Sequence, residues 1–390
     1  MGSKYLFVIN SFLAGGAERS LIELLPGIKA NDINLIVACL YRREVGFEDE
    51  VREAGFDVRV LPGSNFLSKT LALRRLIKEE RPDLVHTALF DADLAGRLAS
   101  IGLRVPVMTT LANTAYDDAR REDPNVNLRR LMVVKWIDGL TARHLTQHFH
   151  AVSQAVKDST VERLGVPPDR ITVVKRGRDE TRLGEKSPER RSSVRRELGL
   201  ADEAEVLITV GRQEYQKGHR HLIDAFPGVI AVRPNARLLI AGREGHATRD
   251  LVTQIAALDL EQTVRLLGHR EDVLDVVAAS DVFVFPSVYE GLGGALIEAI
   301  GLGLPVVASD IAALREVVRQ GENADLVPPG DPAALTRAIV GLLSDPDRLR
   351  AYSERSRQLF ADEFRSQTSN QRLLDLLSKV ASSPTGNSRS

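Results

Sequence analysis

The stretch from Asp281 to Asp310 leaves this chain little choice of fold. Asp281-Val-Phe-Val-Phe285 alternates β-branched and aromatic residues and breaks at Pro286-Ser287, the pattern of a buried strand. Glu290-Gly-Leu-Gly-Gly294 follows, then a short apolar helix from Ala295 to Leu302, stopped by Gly303, and a second strand opening at Pro305-Val-Val-Ala308. Strand, helix and strand in so short a span make a parallel βαβ unit, and a parallel sheet must be covered by helices on both faces. Ligands of such sheets bind beyond the carboxyl ends of the strands, where Ser287 to Gly294 falls.

The loop chemistry is specific. Gly291, Gly293 and Gly294, with Leu292 among them, let backbone N–H groups approach a ligand where a helix begins, which suits phosphate. Glu290 in the loop and Glu298 one turn into the helix can hold one ligand at two points, because a carboxylate accepts bonds from vicinal hydroxyls. A ligand with phosphate in the middle and sugar diols at both ends fits, which describes a nucleotide-sugar. Two isolated acids would more often be a turn residue and a solvated helix residue; the glycine pattern between two buried strands favours the ligand.

Pro286-Ser-Val-Tyr-Glu290-Gly-Leu-Gly-Gly-Ala-Leu-Ile-Glu298-Ala with Gly303-Leu-Pro-Val-Val-Ala308 resembles the E-x7-E signature of retaining glycosyltransferases of family 4. The resemblance implies an α/β chain of GT-B fold, two Rossmann-like doubly wound domains facing a central cleft. It further implies that Glu290 contacts the donor sugar and Glu298 the nucleotide ribose.

Composition is ordinary for a soluble globular protein: 390 residues, 43% hydrophobic and 27% charged, with a formal net charge of −1 that gives no footprint for nucleic acid. A lone cysteine, Cys39, has no internal disulfide partner. With no apolar run near the roughly 20 residues that span a bilayer, and an N-terminus that enters a strand directly, a cytoplasmic protein is expected, or one at the inner face of the membrane. No resident cofactor is expected.

Strand and helix patterns alternate from Lys4 onward, and again from Val206. They predict an N-terminal acceptor-side domain over 1–180, a donor domain over 181–362, a C-terminal helix over 363–380 packing back on the first domain, and a disordered tail over 381–390. The pair Gly15-Gly16 is not G-x-G-x-x-G, and the next strand ends without the acid that holds an adenosine ribose, so a dinucleotide site is rejected. The remaining readings are a ligand-facing backbone turn and a tight turn only. Gly15-Gly16-Ala-Glu-Arg19 is similar to the family's N-terminal glycine loop, which faces the donor phosphate and the acceptor.

After the strand Val206–Val210, Arg212 and Lys217 sit on a loop ending in Gly218, where a guanidinium and an ammonium can clamp a diphosphate. The stretch resembles the family's G-R-x(n)-K-G pattern. Gly268-His269-Arg270 stands where the resemblance puts the nucleotide base. Many members carry a histidine where this chain reads Thr110-Leu-Ala-Asn113, so Asn113 or a neighbour is its replacement. The family's N-G-V-D appears as Arg176-Gly-Arg-Asp179, and a customary glycine pair as Ala312-Ala313. Asp91-Ala-Asp93 has the D-x-D form that binds metal elsewhere but is expected to cap a helix. Positive side chains are therefore expected to replace a divalent metal.

The segment from Tyr116 to Arg143 alternates basic and apolar residues. A helix lying on a membrane or gripping an anionic acceptor would do so, and so would a packed helix with a solvated basic face, which is favoured. The function read from all this is transfer of a sugar from a nucleoside diphosphate sugar to a glycan, lipid-linked or natural-product hydroxyl. The alternatives are a sugar-nucleotide epimerase or hydrolase and a silent nucleotide-sugar-binding subunit.

Overall fold

Hydrophobic strands separated by helices assemble into two parallel sheets. The computed structural model describes residues 3–12, 16–42 and 48–383; Gly15, the start of the helix expected near Val45 and most of the expected tail lie outside them. The first sheet holds β1 (Lys4–Ile9), β2 (Asn34–Cys39), β3 (Asp57–Val60), β4 (Leu84–Ala88), β5 (Val107–Leu111), β6 (His148–Ala151) and β7 (Ile171–Val173), ordered β3-β2-β1-β4-β5-β6-β7. The second holds β8 (Glu205–Val210), β9 (Ala236–Ala241), β10 (Val264–Gly268), β11 (Val282–Phe285), β12 (Val306–Ser309) and β13 (Ala324–Val327), ordered β10-β9-β8-β11-β12-β13. The order reverses beside β1 in one sheet and beside β8 in the other, opening the crevice in which doubly wound sheets bind ligands.

Strand periodicity builds the cores. In β1, Tyr5, Phe7 and Ile9 enter one apolar cluster while Leu6 and Val8 enter another on the opposite face. In the second sheet Leu207, Leu238, Ile240, Val282 and Val284 are buried together with Phe226 and Val229 of helix His219–Val232.

The chain divides into two compact units: residues 1–116, 127–177 and 366–390 in one, 117–126 and 178–365 in the other. The last helix, Ser366–Ser382, is part of the first unit. Its Leu374, Leu377 and Val380 pack with Leu21, Leu24, Leu25 and Ile28 of helix Gly16–Ala30, and Asn370 donates to the Glu23 carbonyl at 2.6 Å.

Two helix starts differ from the sequence expectation for local reasons. Apolar spacing puts a helix over Leu71–Glu80; helix Phe66–Glu80 begins five residues earlier because Asn65 and Ser68 form a reciprocal capping box. Helix Phe90–Ala99 also begins early, after Leu89 at φ 78°, so Asp91 and Asp93 stand in its first turn rather than at its cap.

Asp93 is buried there, with its Oδ1 lacking a hydrogen-bond partner; burial pushes its carboxyl up to about 7, against the pull of Arg97 and the neighbouring Thr87 hydroxyl. The folded chain therefore favours the protonated form, and stability falls as pH rises from about 4 to about 7. Asp93→Asn should remove that slope. The variant should be the more stable protein above pH 7, by about 4 kcal/mol at most, and the difference should vanish near pH 4. Denaturant midpoints across that range measure it; parallel curves would exclude a buried proton at Asp93.

Candidate active site

Two loops of the second unit leave the carboxyl ends of β8 and β11 and lie against each other. Gly218, at φ 64°, approaches the β11 loop so closely that an added Cβ would stand 2.0 Å from the Pro286 carbonyl oxygen. The Val288 amide donates to the Gln216 carbonyl at 2.9 Å, and the Gln216 side chain donates to the Tyr289 carbonyl at 2.9 Å. Gly242, following β9, lies as close to the β8 loop: its Cβ would meet the Gly211 carbonyl oxygen at 2.0 Å.

This zipper brings Lys217 to Glu290. The Lys217 ammonium donates to Glu290 Oε1 at 2.5 Å, and the buried Ser287 hydroxyl donates to the same oxygen at 2.9 Å. The ammonium also lies 5.6 Å from the centre of the Phe285 ring. Helix Gly294–Gly301 starts here with Gly293 at φ 87° as its cap and no side-chain cap bond, so its first amides are left for a ligand.

Farther along that helix, Glu298 is held by two arginines. Arg178 Nε and Arg182 Nη2 both donate to its Oε1, at 3.1 and 2.9 Å, and among the described residues no donor reaches its Oε2. Arg178 is buried, and its guanidinium lies against the helix start, where a Cβ on Gly294 would be 2.1 Å from Nη2. The site thus alternates charge along one helix: Lys217 with Glu290 before it, Arg178 at its first residue, Glu298 within it.

Sequence reasoning singled out Lys217, Glu290, Gly291 to Gly294 and Glu298, which this geometry gathers. It passed over Ser287, Arg178 and Arg182. The only signal for Arg178 was its departure from the N-G-V-D pattern. Arg212 belongs to the same β8 loop but reaches outward, its side chain 64% exposed and 4.0 Å from Glu214. His269 is exposed, while Arg270 is taken up by Asp272 at 2.8 and 2.6 Å and by Glu197 at 2.7 Å, so backbone is what this stretch presents.

In the first unit, Gly16 starts helix Gly16–Ala30, its carbonyl accepting from Ser20 at 2.7 Å. Asn113 lies just past β5, half-buried, its Oδ1 accepting from the Thr114 amide at 2.8 Å. His86 is a core histidine: its Nε2 lies 2.7 Å from Thr110 Oγ1, its ring packs edge-on against Phe7, and burial lowers its pKa to about 3.

Residues 14–182 match the family described as Glycosyltransferase Family 4, and residues 190–359 that described as Glycosyl transferases group 1. The chain is 30% identical over 312 residues to the D-inositol 3-phosphate glycosyltransferase of Thermobispora bispora, spanning 75% of this chain and 70% of that protein. It is 29% identical over 351 residues to the UDP-Gal:alpha-D-GlcNAc-diphosphoundecaprenol alpha-1,3-galactosyltransferase of Escherichia coli, over 85% and 86% of the two chains. Among solved structures, Anabaena Alr3699/HepE in complex with UDP and glucose superposes with a TM-score of 0.84 at 24% identity, over 97% of this chain and 100% of that one. WaaG, a glycosyltransferase involved in lipopolysaccharide biosynthesis, superposes with a TM-score of 0.77 at 18% identity, over 96% and 99%. Those likenesses establish the GT-B fold.

Proposed function

This chain belongs to the family 4, group 1 glycosyltransferases, and on that premise we propose that it moves a sugar from a nucleoside diphosphate sugar to an acceptor hydroxyl with retention of anomeric configuration. The observation that carries the proposal is the pairing of Lys217 with Glu290 at 2.5 Å directly before a glycine-started helix. A cation for phosphate and a carboxylate for sugar hydroxyls are thereby adjacent, as a glycosyl phosphate requires.

In this reading the amides from Gly291 to Gly294 and Lys217 receive the diphosphate, with Arg212 folding in from the loop mouth. Glu290 orients the sugar hydroxyls, and Oε2 of Glu298 takes the ribose diol while Arg178 and Arg182 fix the carboxylate through Oε1. Backbone at Gly268 to Arg270 meets the base. The bond from the anomeric carbon to the phosphate oxygen breaks as the acceptor oxygen attacks on the same face. The acceptor proton passes to the departing phosphate, whose charge Lys217 and the helix start stabilise. The donor named for the Escherichia coli relative is UDP-Gal, and its acceptor is lipid-linked; a uridine donor and a lipid-linked acceptor are accordingly the first pair to try.

No divalent metal is needed in this scheme, because fixed positive groups neutralise the leaving group. The test is transfer from a panel of nucleotide-sugars in excess chelator, with the product's anomeric configuration read by NMR. Transfer with retained configuration, unaffected by chelator, is expected. An inverted product, or activity lost on chelation and restored by magnesium or manganese, would overturn the scheme. Sugar release without any acceptor dependence would establish a hydrolase instead.

A further inference from the structure

Helix Leu128–Leu145 of the first unit is fastened by its inner face and leaves an unusual outer one. Its buried side is polar: Asp138 accepts from Arg97 at 2.6 Å and from the Tyr116 hydroxyl at 2.8 Å, and Arg97 also donates to Thr141 at 3.2 Å. Its outer side is apolar. Leu128, Met132, Trp136 and Leu140 recur every fourth residue along one stripe with Val133 beside it, and Trp136, Met132 and Val133 are 67%, 64% and 58% exposed. Of the eleven large hydrophobic residues exposed among the described residues, five lie on this helix. Isolated apolar side chains on a surface need no explanation, but a continuous stripe containing tryptophan does.

Charge identifies what covers it. Arg129 and Arg130 are exposed at the head of the stripe, with Lys135 half-exposed along it. The helix carries a single acid, Asp138, which is turned inward and neutralised by Arg97. An apolar stripe bordered by cations and free of exposed acids complements a surface that is negative outside and hydrocarbon beneath. Tryptophan prefers that boundary, where its ring sits at headgroup depth. Among the described residues no helix is long and apolar enough to cross a membrane, which fits a helix lying in the interface rather than one passing through it.

We propose that the outer face of helix Leu128–Leu145 docks on anionic lipid bilayers, with Leu128, Met132, Val133, Trp136 and Leu140 entering the interface and Arg129 and Arg130 contacting lipid phosphates. The packed side of the helix is the polar one. The docking stands whether or not the donor assignments hold, since none of these residues belongs to the donor site.

Trp136 is the chain's single tryptophan, so its emission reports this face alone. The full chain is mixed with phosphatidylcholine vesicles with and without phosphatidylglycerol, and binding is read by flotation and by tryptophan emission. Flotation with the phosphatidylglycerol vesicles, an emission blue shift, and quenching by bilayer-embedded brominated lipid are expected, with loss at high salt. Met132→Ser with Trp136→Ser should abolish flotation at unchanged net charge. Arg129→Glu with Arg130→Glu should weaken it about tenfold or more while leaving the fold intact by circular dichroism. Absence of flotation with anionic vesicles would overturn the proposal. So would a blue shift that appears on raising protein concentration alone, with dimers in sedimentation velocity, because the face would then be a contact between copies.

Discussion

Glu290→Gln should lower turnover by about a hundredfold or more while leaving nucleoside diphosphate affinity at or slightly above the unmodified level. The asymmetry follows from what Glu290 Oε1 does without ligand, where it accepts from Lys217 at 2.5 Å and from Ser287 at 2.9 Å. An amide in that place keeps one acceptor for Ser287 but presents N–H groups where sugar hydroxyls need an acceptor. Lys217 meanwhile loses its carboxylate and is freed for phosphate, so the diphosphate part of the ligand binds no worse. Only an interaction made to the reacting sugar accelerates the chemical step, and in the proposed scheme that is the one removed. The checks are turnover at saturating donor and a calorimetric Kd for the nucleoside diphosphate. Wild-type turnover would remove Glu290 from the sugar. A parallel loss of diphosphate affinity would make it a residue that positions Lys217.

The doubly wound α/β class was legible because its signals are local. Strand Val282–Phe285 shows in its unbroken run of β-branched and aromatic residues, all four of them buried, and helix Pro332–Leu343 begins and ends where proline and apolar spacing put it. The glycines of the β11 loop were legible for the same reason: Gly293 takes φ 87°, and an added Cβ on Gly294 would run into Arg178. The errors arose where one contact outweighs a pattern. Asn65 and Ser68 close a capping box that starts a helix five residues before Leu71, and the positive φ of Leu89 places Asp91 and Asp93 inside a helix. Arg178 and Arg182 were illegible for a further reason. They reach Glu298 across 120 and 116 residues of chain, and nothing local marks an arginine whose partner is chosen by sheet order. Helix Leu128–Leu145 shows the same limit: its composition announced an amphipathic helix, but which face would be buried depended on Arg97, on another helix, capturing Asp138.

Gly218→Ala should lose about 2–4 kcal/mol of stability, together with a steep fall in turnover. Two costs add. At φ 64° an L-residue pays about 1–2 kcal/mol for the left-handed conformation alone. The new Cβ would also stand 2.0 Å from the Pro286 carbonyl oxygen and 2.9 Å from its carbon, and these are backbone atoms that cannot rotate aside. Relief requires the β8 and β11 loops to separate, which breaks the bonds of Gln216 to Val288 and Tyr289 and draws Lys217 away from Glu290. Gly321→Ala separates the two costs, since Gly321 has φ 75° but nothing within 4 Å of an added Cβ. It should lose only about 1 kcal/mol and keep full turnover. Denaturant midpoints and turnover for both variants decide the matter: if Gly218→Ala and Gly321→Ala behave alike, the contact of the two loops at Gly218 does not hold the site together.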